Sequence, residues 1–273
     1  MTVASIATDK FFETRDELVI SGLRVKFEVV KNSAKDPNTC SLEIYGCSER
    51  TRAQLQHKPL AVFLDAGYDG QTHRLFNGDL RYANSRIEGT DWVTKLEIAD
   101  GARSLSRARV NRSYSSGTSL KTVVSDVVKQ MGLRIPTNMN GARELDAQFA
   151  TGVVIEGLAS SELSRLLKPH KISWSIQNSR LQMLRENEVR SDAVLLFTPD
   201  TGLIGTPEYG TPTKEQKSPS LSLQVMLEPD VLPGGKIKIE SKSVNGLFKV
   251  ERCTHDGDLY GPEWITSIEA KSV

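Results

Sequence analysis

Cys253, His255, Asp256 and Asp258 fall close together near the end of a 273-residue chain, in the phrase CTHDGD. A thiol beside an imidazole can form a nucleophile–base pair, and nearby carboxylates can orient the base or hold a metal. The local pattern argues against both. In an extended segment Cys253 and His255 share a face, but no third orienting group or oxyanion site accompanies them. In the strand leading in, Phe248, Val250 and Arg252 point one way, and Leu247, Lys249, Glu251 and Cys253 the other. Asp-Gly is a strong turn signal, so the phrase reads as a turn between two strands. Asp65, Asp69 and Asp79 lack the spacing of a calcium loop, and DAGYDGQ is better explained as a hairpin turn. GYDG and PGG precede no helix with Lys-Ser/Thr and are not phosphate loops. His57, His73 and His170 are isolated. The expectation is no catalytic residue, no cofactor and no metal.

These residues must be positioned by strands. ISGLRVKFEVV alternates, with Leu23, Val25, Phe27 and Val29 on one face and Arg24, Lys26 and Glu28 on the other. SLEIYG alternates too, and DWVTKLEIAD sets Trp92, Thr94, Leu96 and Ile98 against Val93, Lys95 and Glu97. The first hundred residues read as antiparallel β with one short helix near 49–56. The character changes near residue 103. Leu120, Val123, Val124, Val127, Val128 and Met131 recur at helical spacing between an N-cap at Thr118 and a stop at Gly132. TGVVIEG is a strand, and SSELSRLLKPHK is a second helix capped by Ser160 or Ser161. ISWSIQNSRLQMLRE is a hairpin turning at Asn178-Ser179. After residue 195 β returns, with a long Pro/Gly-rich loop over 199–220 that is a candidate for ordering against a neighbour.

Composition sets the limits. Hydrophobic residues make up 38% and charged residues 25%, as in globular proteins, and the formal net charge is +1. Residues 103–190 carry 14 Lys/Arg against 7 Asp/Glu, net +7, while both flanks are mildly acidic. Arg103, Arg107, Arg109 and Arg112 lead that basic middle. They read as a solvated rim rather than a nucleic-acid face, because aromatics for base stacking are sparse there. Docking of an acidic partner is the other option. Three cysteines without a CxxC pair suggest neither a disulfide framework nor a zinc site, and favour a reducing compartment. No apolar run is long enough for a membrane helix and no secretion signal leads the chain, so a soluble protein without membrane insertion is expected.

The chain echoes itself. LFNGDLRYANSRIEGTDWVTKLEIAD from Leu75 aligns without a gap with LFKVERCTHDGDLYGPEWITSIEAKS from Leu247. Leu75-Phe76 matches Leu247-Phe248, Gly89 matches Gly261, and Trp92-Val93-Thr94 matches Trp264-Ile265-Thr266. The expected organisation is therefore mainly β with an α+β insertion. Two related antiparallel β-barrel-like domains, 1–102 and 195–273, flank a small basic α+β domain at 103–194. A trimer of such a chain presents six similar domains in a ring, a geometry suited to joining a six-fold object to a three-fold one.

The succession SGLRVKFEVVKNSAKDPNTCSLEIYG, VFLDAGYDGQTHRLFNGDLR, GTDWVTKLEIADG and GLFKVERCTHDGDLYGPEWITSIEA resembles the baseplate hub proteins of long-tailed phages, which are related to hub components of contractile injection systems. The resemblance implies a homotrimer with paired β tube domains at the tip of the tail tube. It implies as partners the tail tube or a distal tube protein, the spike protein and other baseplate proteins, with DNA passing through the lumen without sequence specificity. The location would be the virion tail baseplate, with assembly in the bacterial host cytoplasm. At this length no fused lysozyme is expected. Rival readings are a peptidoglycan hydrolase using Glu156 or Glu162, and a distal-tail carbohydrate-binding module.

Overall fold

The computed structural model describes residues 3–8, 17–57, 60–68, 71–133, 136, 143–185, 188–190, 193–210 and 219–273. Contacts divide the chain into two units, one of residues 1–32, 38–100 and 189–273, the other of residues 33–37 and 101–188.

The first unit is built on one 13-stranded sheet. Its strands are β1 Val3–Thr8, β2 Glu17–Ile20, β3 Val25–Asn32, β4 Thr39–Tyr45, β5 Leu60–Tyr68, β6 Gln71–Glu88 and β7 Asp91–Ala99, with helix α1 Glu49–His57 after β4. The chain leaves this unit and returns as β12 Leu195–Phe197, β13 Leu203–Tyr209, β14 Leu221–Met226, β15 Lys236–Glu240, β16 Asn245–Asp258 and β17 Trp264–Ser272. The main path runs β13-β14-β17-β16-β3-β4-β7-β6-β5-β1-β2, and β15 joins β12 to β16. The first and third segments of the chain therefore share one ladder, stitched where β16 pairs antiparallel with β3.

Alternation along β3 and β4 gives this sheet one apolar face. One inward row runs Trp264, Gly257, Phe27, Leu42, Leu96, Ala83, and the next runs Thr266, His255, Val29, Cys40, Ile98, Leu80. Two cores lie under the sheet. One gathers Phe27, Leu42, Ile44, Leu64, Phe76 and Leu96, and the other Phe197, Val225, Ile237, Ile239, Phe248 and Ile268. Strand β6 reaches both neighbours because it changes partner midway, pairing β5 up to Asp79 and β7 from Asp79 on. Gly78 marks that corner: a Cβ there would sit 2.8 Å from the Ala99 carbonyl carbon.

The second unit holds α2 Ala102–Arg107, β8 Arg109–Tyr114, α3 Leu120–Gln130, β9 Val153–Leu158, α4 Ala159–Leu167, β10 Ile172–Gln177 and β11 Arg180–Arg185. Val123, Val124, Val127 and Val128 of α3 pack with Leu145, Leu163 and Trp174 in its core. The β10–β11 hairpin turns at Asn178 (φ 51°) and Ser179 (φ 58°), as expected of a two-residue turn with both central residues left-handed.

The mainly β class with an α+β insertion matches the sequence reading, and several details differ. Ser119, not Thr118, caps α3, accepting from the Thr122 amide at 3.2 Å; Thr118 instead donates its hydroxyl to the Ser115 carbonyl. Helix α4 starts at Ala159 with no side-chain cap, because Leu158 holds the cap position; Ser160 lies inside the first turn and donates its hydroxyl to the Leu105 carbonyl. The expected loop over 199–220 contains a strand, β13, despite Gly205 and Pro207. It pairs only with β14 among the described residues and breaks register between Ile204 and Glu208. An edge strand with an irregularity is where proline is tolerated. Residues 211–218 of that segment lie outside the described residues.

Candidate functional site

The phrase CTHDGD is not a turn. Strand β16 runs on through Asp258, and the turn falls at 259–263. A register shift between Val250 and Arg252 explains why the alternation misleads. An extra residue there flips every later side chain to the other face. Cys253 and His255 thereby join the inward face of Phe248 and Val250, while Arg252 turns outward.

Inside, His255 is fully buried and forms part of a hydrogen-bonded set. Its Nδ1 lies 2.9 Å from Thr266 Oγ1, which also accepts the Glu228 amide at 3.0 Å. The Cys253 thiol lies 3.5 Å from His255 Nε2 and 3.5 Å from the Val231 carbonyl. Burial, then the nearby Lys31 charge, holds the His255 imidazole well below its usual range, so it is neutral. Burial pushes the Cys253 thiol up to about 12 and raises Cys40 as well. A nucleophile needs thiolate and access, and this pair has neither. Cys253, His255 and Thr266 tie β16, β17 and the 228–231 segment together. Native protein at pH 8 should therefore resist iodoacetamide at Cys40, Cys47 and Cys253, with labelling at all three only after denaturation. Mass mapping that finds Cys253 alkylated in the folded chain would refute this inertness.

Lys31 was not singled out by the sequence reading, yet it is fully buried opposite Cys253, and its Nζ has no hydrogen-bond partner among the described residues. The signal was present: Lys31 continues the inward alternation of Val25, Phe27 and Val29.

The two carboxylates of the phrase part company. Asp258 accepts from Arg24 Nε at 3.0 Å and Nη2 at 2.6 Å, and from the Tyr260 amide at 3.1 Å. The Arg24 guanidinium holds its carboxyl below the usual carboxylate range. Asp256 faces outward beside Glu28, its register partner; partial burial first, then Glu28 and Glu263, raise its pKa. That outward face is polar. One row runs Ile265, Asp256, Glu28, Ser41, Glu97, and the next runs Asp258, Lys26, Glu43, Lys95.

The remaining candidates stay apart. Asp65 is ion-paired with Arg74, and Asp69 lies outside the described residues. His73 is exposed on β6, His170 is half-buried after α4, and the side chain of His57 lies outside the described residues. Arg107, Arg109 and Arg112 are exposed, Arg103 is half-buried, and Arg112 meets Asp126 at 3.2 Å. Glu162 is bound by Arg165 at 2.6 Å, and Glu156 stands exposed on β9 opposite Asn111.

The two echoed hairpins are β6–β7 and β16–β17. Each carries one register shift, between Leu80 and Tyr82 and between Val250 and Arg252. Glu97 faces Tyr82 in one, and Glu269 faces Arg252 in the other. The second strands thus match at the offset of the echo, while the first strands are slipped by two residues. A slip of two preserves which side chains face the core.

The large antiparallel sheet with its paired bulged hairpins is a fold shared with tail proteins of known structure. The 43 kDa tail protein of prophage MuSo2 from Shewanella oneidensis superposes with a TM-score of 0.68 at 10% identity, covering 100% of this chain and 97% of that one. A tail protein from Neisseria meningitidis MC58 gives 0.63 at 10% identity, covering 99% and 96%. The E. coli c3393 protein, a type VI secretion component described as structurally similar to T4 tail proteins gp27 and gp5, gives 0.62 at 10% identity over 92% and 73%. At such identity these likenesses establish the fold. No curated protein matches the chain by sequence. The family model for baseplate hub gp41 matches residues 5–256, and the chain belongs to that family. It is a structural hub protein of the phage tail baseplate.

Proposed function

We propose that the hub works as a homotrimer joining a six-fold tail tube to a three-fold central spike, and that its channel passes DNA. The observation that supports this most is the duplicated hairpin within one continuous sheet. Three chains then offer six related β elements in a closed ring, while the assembly stays three-fold. In this reading the two halves of the sheet are related tube domains, and the outward rows with Asp256, Glu28, Glu97 and Glu43 line the channel. The lysines of the same rows, Lys26 and Lys95, are ion-paired with Glu263 and Glu97, so Asp256 and Glu28 tip the face toward negative charge, which repels phosphate and lets DNA slide. Assembly takes place in the host cytoplasm, where the free cysteines stay reduced. No catalytic step is part of this role.

The test is the native mass of the purified protein, alone and with its tube and spike proteins. Three copies per particle are expected in at least the complexes. A monomer in every assembly state would sink the trimeric reading.

A further inference from the structure

The sheet topology assigns the hub a direction. In the run β17-β16-β3-β4-β7-β6 every neighbouring pair is antiparallel, so β16, β4 and β6 run one way and β17, β3 and β7 the other. The ends of β6 and β16 therefore lie at one rim of the sheet. Both echoed hairpins turn at that rim, the first through Gly89-Thr90 and the second through residues 259–263.

Each tip presents apolar groups to solvent. Ile87 is 62% exposed and faces Trp92, 38% exposed, across the first hairpin; Tyr260 is 72% exposed on the second. Both tips are held in place. The Arg52 guanidinium stacks 4.0 Å from the Trp92 ring centre, and Asp258, clamped by Arg24, binds the Tyr260 amide. Anchors on a fixed backbone lose less freedom on binding, and Trp and Tyr are among the residue types that dominate interface energies.

The opposite rim is different. There the start of β16 and the end of β17 expose Leu247 and Val273, with Leu196 of β12 in the same row through Lys238. The echo partners Leu75 and Phe76 of the first half are buried. Of the two echoed hairpins, therefore, both carry an exposed apolar anchor at the tip and only the second carries one at the opposite end; the exposed Met226 of β14 and Tyr209 of β13, on the first and the second rim, lie outside the duplication.

We propose that the rim formed by the 87–92 and 259–263 tips docks onto a ring of six identical protein subunits, the tail tube, leaving the Leu196–Leu247–Val273 rim for the three-fold spike. This rests on the trimeric adaptor reading above. Three chains give six echoed tips on one rim and three exposed echoed ends on the other, matching the two symmetries. The tips must also stand level. The row through Asp258, Lys26, Glu43, Lys95 and Asn84 crosses the strands, and Glu88 lies four residues beyond it. That lead is ~13 Å over ~19 Å of strand spacings. A strand tilt of roughly 35° to the ring axis, ordinary for closed sheets, levels them.

The experiment uses full-length hub with purified tube and spike proteins of the same tail. Ile87→Asp combined with Tyr260→Asp should weaken tube co-sedimentation at least tenfold. It should leave spike binding within twofold and the melting temperature and trimer mass unchanged. Tyr260→Ala serves as the milder variant and should weaken tube binding alone. Leu196→Asp with Leu247→Asp should do the reverse. Tip variants that bind the tube like wild type, or that lose the spike instead, overturn the assignment. A wild-type hub that binds neither partner, or is never trimeric, removes the adaptor reading itself and the direction with it.

Discussion

Gly257→Val is expected to lower folding stability by about 3 kcal/mol or more and to detach the second hairpin from β3. Gly257 lies in strand β16 facing Phe27 in register, on the inward row. A Cβ there would sit 2.3 Å from Phe27 Cζ, 2.5 Å from its Cε1 and 2.9 Å from Trp264 Cε3. The two rings meet edge to face with centroids 5.5 Å apart, so the glycine is the gap they close over. Phe27 cannot retreat, because it is buried against Leu42 on the next strand. Gly257→Ala should cost about half as much, since the first carbon already collides. The ladder joining the two halves of the sheet is what gives way, so ring assembly should fail with it. Urea unfolding midpoints for Gly257→Val, Gly257→Ala and wild type decide the matter. A Gly257→Val midpoint equal to wild type would show that the rings part freely. Gly89→Asn, at a turn position with φ 61° and nothing within 4 Å of a built Cβ, is the matched control and should be nearly neutral.

The same glycine shows how far the sequence could be read. Val25, Phe27 and Val29 declared the buried face of β3 through simple alternation, and β4 followed the same rule, while in β7 Leu96 and Ile98 obey it but Val93 is buried and Trp92 exposed, against the alternation. The α3 face was equally plain from its valines. At Gly257 the local signal failed, because Asp-Gly is a turn phrase only when the backbone needs a positive φ. Here the glycine answers to ring packing from another strand, and its φ is not among the positive ones. The Val250/Arg252 shift was equally hidden, since a bulge is set by the partner strand and leaves no mark in composition. That one residue decided whether Cys253 and His255 faced the core or solvent. The echo between the hairpins was legible as a repeat, but its two-residue slip was not, because a slip of two keeps the alternation intact. The stitching of both β segments into one sheet was likewise beyond a single sequence, as it depends on β16 meeting β3 across the inserted unit.

Lys31→Met should stabilise the hub by about 1–3 kcal/mol at neutral pH, the usual penalty for a buried polar group without a partner. Alternation forces Lys31 inward after Val29, opposite Cys253 and beside the neutral His255. Burial is the largest influence and lowers the amine below the ordinary lysine value of 10.5. Cys253, Asp100 and Cys40 oppose that shift, and Arg190 adds to it. A depressed folded-state pKa means that the unfolded chain binds more protons between the two values. The contribution of Lys31 to stability is therefore greatest above pH 10.5 and falls as pH descends toward the folded value. Replacing the amine with a thioether of similar length removes this slope and leaves the packing filled. The window from pH 7 to 8 suits the comparison: His255 titrates below 6.5, and the thiols of Cys40, Cys47 and Cys253, raised by burial in the folded chain, oppose the slope once their unfolded counterparts ionise around 9. Urea midpoints across that window should rise with pH for wild type and rise less for Lys31→Met, the variant being the more stable throughout. A Lys31→Met protein that is less stable than wild type would mean that the ammonium is a paired, stabilising charge, and the interior at the β3–β16 seam would have to be redrawn as an ionic one.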